Sequence, residues 1–297
     1  MIIEYSSICL NKDNYREKIR EARAAAVAAG FEFGIQIHNS IDEPFLRILG
    51  ELRGEIEFSA HSPLLAKYFL NLASGDMAHI KPSLDDAVSG LDAFGTDLFF
   101  FHGFFLTDKP ILHDMKNYRR AMAASIGPEF SLNGSFIMDP AFFETERYAA
   151  MKEVFRKNLA LARELYPHLI VAVENDFVGI GSGLQRPREI IELARDLWFD
   201  TGHFWCASLV HGFDFYEETA RVLNSVRVHG VHVNNNLMTR RDPLEGMRDS
   251  HTHFYIESEQ RLKPLVRSIA DRGIPRLTLE IVDGDIRDLE IVLDWLG

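Results

Sequence analysis

Cysteine is nearly absent: the 297-residue chain has only Cys9 and Cys206, which form no CxxC pair and fit no thiolate zinc spacing. A disulfide framework is therefore not what organises the fold, and any metal has to be held by nitrogen and oxygen ligands. Long hydrophobic runs are missing too. No apolar stretch approaches the roughly 18 residues of a membrane helix, and the opening MIIEYSSICLNKDNYREKIR lacks the basic region, apolar run and small-residue cleavage site of a secretory leader. A cytoplasmic, non-membrane protein is expected. Positive charge is also in deficit. The formal net charge of −12 repels a polyanion on average, so nucleic acid is a possible partner that the charge does not favour, even though Lys116, Arg119 and Arg120, or Arg240, Arg241 and Arg248, offer short basic groups. No GxSxG elbow supplies a side-chain nucleophile. Low-complexity tracts, Ser/Gly linkers and short repeats are lacking as well, which leaves no internal domain boundary and one domain over 1–297.

With 46% hydrophobic and 26% charged residues, the chain has the composition of a globular protein able to bury a large core. A β-then-α alternation runs through it. Short runs rich in Ile, Val, Phe and Leu occupy 2–5, 33–37, 56–60, 98–101, 169–173, 197–199, 226–231 and 277–279. Amphipathic stretches such as 14–29, 147–165, 186–195 and 257–272 lie between them. Eight buried strands, each separated from the next by a crossover, predict a closed (β/α)8 TIM barrel. The longest departure, 103–146, reads as an enlarged loop on the active-site side, either a lid and specificity element or packing filler.

Residues able to bind metal end the predicted strands one after another: His61, His102, Glu174, Asp200, His232 and Glu280. In a barrel all six open onto the carboxyl face, where active sites of this fold are built. Taken singly, a histidine after an apolar strand is most often a satisfied core or surface residue, and a strand-end Asp or Glu is commonly a helix cap. Gathered in one mouth without a cation, however, they would leave unpaired buried charge. Imidazole with carboxylate suits zinc, manganese or ferrous iron, zinc being favoured by the number of histidines. The turn Asp200-Thr201-Gly202-His203 returns a further imidazole to the mouth, and the i, i+2 spacing of Asp249 and His251 in extended backbone predicts two side chains on one side. His229 competes with His232 and His253 with His251. Residues 229 and 232 face opposite sides of a strand, and His232 is nearer its carboxyl end. His38, His79, His113, His168 and His211 read as surface or capping residues, with His38, which ends a strand, the first exception to consider.

The segments HSPLLAKYFLNLASGD, VENDFVGIGSG, FDTGHF, VHVNNN, DSH and LTLEI, in that order, resemble the motifs of endonuclease IV and the wider xylose-isomerase-like barrel superfamily. The resemblance spans roughly 58–281, and the Asp-x-x-His and Asp-x-His pieces are its most specific parts. It implies one metal held by His61, His102 and Glu174, a second by Glu174, Asp200, His232 and Glu280, and a third by His203, Asp249 and His251. Up to three zinc ions are then expected. The chain departs from the family in the long stretch between His102 and Glu174, where no aromatic and arginine wedge for a DNA duplex is recognisable; Phe104, Phe105 and Tyr118 are the candidates.

Two activities follow from the resemblance. The first is a phosphoester hydrolase of the endonuclease IV type, with Glu174 bridging two metals. The second is a sugar or sugar-phosphate isomerase or epimerase using one manganese or similar ion on Glu174, Asp200, His232 and Glu280, the two glutamates moving a proton. Glu174 and Glu280 are the expected catalytic residues, and His203 and Asn234 the expected substrate contacts. His61, His102, Asp249 and His251, superfluous for a single metal, tilt the reading to the hydrolase. The acidic surface and missing wedges tilt it to the isomerase.

Overall fold

In the computed structural model, which describes residues 1–297, eight parallel strands pair in sequence order and β1 closes on β8. They are β1 (Ile2–Ser6), β2 (Glu32–Ile37), β3 (Glu57–Ser62), β4 (Leu98–Phe101), β5 (Ile170–Glu174), β6 (Asp196–Asp200), β7 (Arg227–Val233) and β8 (Arg276–Leu279). The crossovers carry α1 (Tyr15–Ala28), α2 (Glu43–Gly50), α3 (Met77–Ser89), α4 (Tyr118–Ser125) with α5 (Glu146–Leu165), α6 (Pro187–Leu193), α7 (Thr201–His211) with α8 (Phe215–Ser225), and α9 (Leu262–Asp271). Helix α10 (Ile286–Leu296) completes the ring. The TIM barrel expected from the strand pattern is thus the observed fold. No helix is long and apolar enough to cross a membrane.

Period-2 alternation divides each strand between two environments. Outward residues such as Ile3, Ile35, Phe99, Val173, Phe199, Val231 and Leu277 join the helices in the main apolar core. Inside the barrel, Phe100 and Trp198 stack with ring centroids 4.0 Å apart. Gly230 makes room for the indole, since a Cβ there would stand 2.4 Å from the Trp198 ring, and the β6–β7 register shifts between Leu197 and Trp198. Leu98 and Ala172 pack with this pair, and much of the remaining interior is polar. Glu4, Gln36, Ser59, Thr278 and His232 are all buried.

Helix α9 begins at Leu262, five residues later than the periodicity over 257–272 predicts. The side chains before it are engaged elsewhere: Gln260 accepts from the Asn236 N–H at 2.9 Å and donates to the Thr201 carbonyl, and Ser258 binds Asn235. The 103–146 segment is stitched to its neighbours. Phe69 and His113 N–H groups bond to Ile111 and Lys67 carbonyls, and Leu106, Met138 and Ile180 bond to Gly181, Val178 and Phe136. Phe104 stacks on Phe155 at 4.7 Å and is fully buried, as is Phe105 to within 2%. These two expected wedge candidates are packing residues of a fixed wall, because their rings complete the core instead of facing solvent.

Candidate metal centre

Each of the nine residues singled out in the sequence reaches the carboxyl mouth of the barrel, by a local route that differs from one to the next. Glu174 and Asp200 end β5 and β6, His61 is next to last in β3, and His102 and Glu280 follow β4 and β8. Asp200 is also the N-cap of α7. One carboxylate oxygen accepts the His203 N–H at 2.6 Å, so the contact that starts the helix sets the Asp-x-x-His geometry. The other oxygen lies 3.4 Å from His232 Nδ1. Asp249 and His251 meet with Nε2 to Oδ2 at 2.6 Å, yet not through extended backbone: His251 has φ +39°. The sequence expectation named the right pair for a geometry the chain does not use.

Glu174 sits at the centre. Its carboxylate lies 2.8 Å from His232 Nδ1, 3.3 Å from His61 Nε2 and 3.8 Å from both His102 Nε2 and His203 Nδ1. His203 Nε2 reaches Asp249 at 2.9 Å. Five groups have donor atoms close enough to share a cation: His61, His102 and Glu174; Glu174, Asp200 and His232; His203, Asp249 and His251; His38, His61 and Glu280; and His253, Asp285 and Asp288.

The far nitrogen of most of these rings is committed. His102 Nδ1 bonds to Asp176 at 3.1 Å, and His203 and His251 donate from Nδ1 to the Asn175 and Glu280 carbonyls at 3.0 and 2.8 Å. For His232 the polarity is fixed from the barrel floor. Glu4, paired with Arg276, accepts from Thr278 at 2.6 Å; Thr278 accepts from the Gln36 amide at 3.2 Å; Gln36 Oε1 therefore faces His232 Nε2 at 2.6 Å and takes its proton. In the neutral ring, the form a cation needs, the lone pair is then on Nδ1, which faces Glu174 at 2.8 Å. Such partners orient metal-binding imidazoles.

Electrostatics agree with a site built for cations. Burial works against charging His203, His232 and His251, but the surrounding carboxylates outweigh it and hold all three above the ordinary histidine value, His251 at about 10. Burial raises Glu280 to about 7 against the pull of His232 and His251. Both nitrogens of buried His61, Oε2 of Glu174 and Oδ1 of Asp249 have no hydrogen-bond partner. Each orphaned buried polar atom costs about 1–3 kcal/mol, and a divalent cation between them would remove that cost. The donor set fits such a group.

The mouth is a cavity of about 350 Å³, floored by His61, His102, Glu174, His203, Asp249, His251 and Glu280. Phe69, Phe105, Met115, Tyr118 and Phe177 give it an apolar roof. Tyr118, the third wedge candidate, belongs to that roof. Asn234, expected to touch substrate, is fully buried and absent from the lining; its amide holds Asp200 at 3.3 Å and its Oδ1 fills the space beside Gly202. Asp176 and Gln36 went unnoticed in the sequence, although Asp176 stands two residues after Glu174 in VEND. His38 lines the cavity with its Nε2 3.5 Å from Glu280. A wider groove of about 720 Å³ along α9, lined by Arg261, Lys263, Arg267 and Trp295 among others, contains none of the candidate ligands.

No protein-family model and no curated protein matches the sequence. Solved structures do resemble the fold. A family 2 AP endonuclease from Brucella melitensis superposes with a TM-score of 0.58 at 15% identity, covering 99% of this chain and 98% of its own. The TTHB071 protein from Thermus thermophilus, soaked with ZnCl2, gives 0.54 at 15%, covering 100% and 98%. D-psicose 3-epimerase from Clostridium cellulolyticum H10, with D-tagatose, gives 0.56 at 12%, covering 100% and 98%. The barrel is shared end to end with proteins of both kinds that the sequence resemblance implies. At these identities the likeness establishes the fold.

Proposed function

We propose that this protein is a metal-dependent phosphoester hydrolase with a multinuclear centre, acting on a small substrate rather than a duplex. The observation that carries the reading is the arrangement of three metal-capable groups around Glu174, including His61 with His102 and Asp249 with His251, which a single-metal enzyme has no use for. His61, His102 and Glu174 would hold one cation, Glu174, Asp200, His232 and Glu280 a second, and His203, Asp249 and His251 a third. Zinc suits the imidazole-rich set. When bound, such cations supply Lewis-acid polarisation of a phosphoryl group and lower the pKa of water. The chain's own contribution is orientation and exclusion of solvent. Gln36, Asp176 and two backbone carbonyls fix the imidazoles, Glu174 ties the groups together, and the aromatic roof limits water at the reacting centre.

The burial of Phe104 and Phe105 and the net charge of −12 argue against a DNA duplex. The same features fit a second reading, a sugar isomerase or epimerase with one metal on Glu174, Asp200, His232 and Glu280; several structural neighbours are named as epimerases. Metal content of protein purified without chelator separates the two, together with turnover of a phosphomonoester, a phosphodiester and a ketose panel. The hydrolase reading expects two to three zinc per chain and phosphoester cleavage lost in Asp249→Ala with His251→Ala. Ketose turnover undiminished in that double variant overturns it.

A further inference from the structure

We propose that His38 is a substrate contact presenting an N–H into the cavity, not a further metal ligand, although it is grouped closely enough with His61 and Glu280 to share a cation. The proposal rests on the phosphoester reading for the identity of the substrate oxygen, and on hydrogen-bond polarity for the rest. Four neighbouring rings are wired one way. His102, His203, His251 and His232 each send one N–H outward to an oxygen, of Asp176, Asn175, Glu280 and Gln36 respectively, so that when the ring is neutral, as a metal ligand must be, its lone pair faces the centre.

His38 is wired in reverse. Its Nδ1 receives the backbone N–H of Ser40 at 3.1 Å, with the Ser40 hydroxyl 2.6 Å away. A backbone N–H only donates, so Nδ1 is the acceptor and the proton of the neutral ring is on Nε2. That nitrogen faces the cavity beside Glu280 Oε1 at 3.5 Å, longer than a hydrogen bond. Turning the ring over would give up both Ser40 contacts at Nδ1, and the backbone that carries it is held by His38 N–H donating to Ser7 Oγ at 2.9 Å and by its carbonyl accepting from Ile41. An N–H fixed at the rim of a site of lone pairs has no cation to bind and suits an anionic oxygen. A non-bridging phosphoryl oxygen is the group this chemistry selects.

The test uses the zinc-loaded full chain, the variants His38→Ala and His38→Gln, and inorganic phosphate as probe. Gln places an amide N–H near the position of Nε2. The expected results are an Nε2–H tautomer for His38 in ¹⁵N spectra, an unchanged metal count in both variants, and phosphate affinity about ten- to a hundredfold weaker in His38→Ala with most of it restored in His38→Gln. Loss of a metal in His38→Ala, an Nδ1–H tautomer, or undiminished phosphate binding in His38→Ala overturns the proposal. If the parent itself fails to bind phosphate, the phosphoester reading falls and the phosphoryl assignment with it, while tautomer and metal count still decide the wiring.

Discussion

His211, at the C-terminal end of α7, provides a quantitative test of the electrostatics away from the candidate ligands. Its Nε2 is 3.0 Å from Gln185 Oε1 and its ring meets the Phe143 edge at 5.0 Å. A helix C-terminus favours a protonated histidine by about 0.3–1 kcal/mol. Burial, helped by repulsion from Arg186, wins nonetheless and lowers the pKa to about 4. The unfolded chain, with a value near 6.5, therefore takes up a proton before the folded chain does, and stability is present above about pH 6.5 and lost as pH falls toward 4. At pH 5 the two values give a loss of about 2 kcal/mol relative to pH 7.5. The variant His211→Gln, which cannot titrate, should lose about 2 kcal/mol less than the parent over that interval in urea unfolding followed by circular dichroism. An equal loss in both proteins would refute the assignment of a buried, neutral His211.

Four further outcomes are expected. Glu174→Gln should fold yet lose most bound metal, measured by elemental analysis, because one carboxylate lies within 3.8 Å of four imidazoles; retention of the full metal count would misplace the centre. Gln36→Leu removes the acceptor for His232 Nε2 and should weaken metal binding about 10–100-fold in competition with a chromophoric chelator, Gln36→Glu being milder. Gly230→Ala should cost about 1–3 kcal/mol in thermal or urea unfolding, since the new Cβ would overlap Trp198 in the barrel interior; wild-type stability would mean that the stack shifts freely. Metal affinity should rise with pH between 6 and 9, because His203, His232 and His251, held above the ordinary histidine value, must give up protons to bind; a pH-independent affinity would contradict that.

The barrel was legible because each of its eight strands is a short apolar run, and six candidate ligands were legible because they stop those runs. The residues that orient them were not. Gln36 looks like any polar residue of a strand, and only closure of the barrel brings it to His232, which is 196 positions away. Helix α7 carries no amphipathic signal because nearly all of it is buried. Asp249 and His251 were found by a spacing argument, while the chain brings them together with His251 itself in left-handed backbone, which no spacing specifies. For Asn234, proximity to His232 in sequence says nothing about depth: the side chain is fully buried with its amide on Asp200. The aromatic residues of 103–146 were ambiguous for the same reason, since a ring that wedges and a ring that packs have the same composition.

The interior of this barrel departs from the layers of branched aliphatic side chains that usually fill the fold. One side keeps an apolar plug, the Phe100–Trp198 stack, directly under the imidazoles, with His61 stacked on Phe100 at 5.2 Å. The other side is a column of hydrogen bonds from Arg276 and Glu4 through Thr278 and Gln36 to His232. Such a column gains little net stability over packed hydrocarbon, because every member must be desolvated before it is paired. What it provides is direction. A carboxylate at one end, accepting from Thr278, sets the polarity of each bond above it, so that the last imidazole keeps its Nε2 proton when neutral and gives up the one on Nδ1, beside Glu174. The plug packs beside those bonds, and the His232 corner of the candidate centre is thereby oriented through a single glutamine.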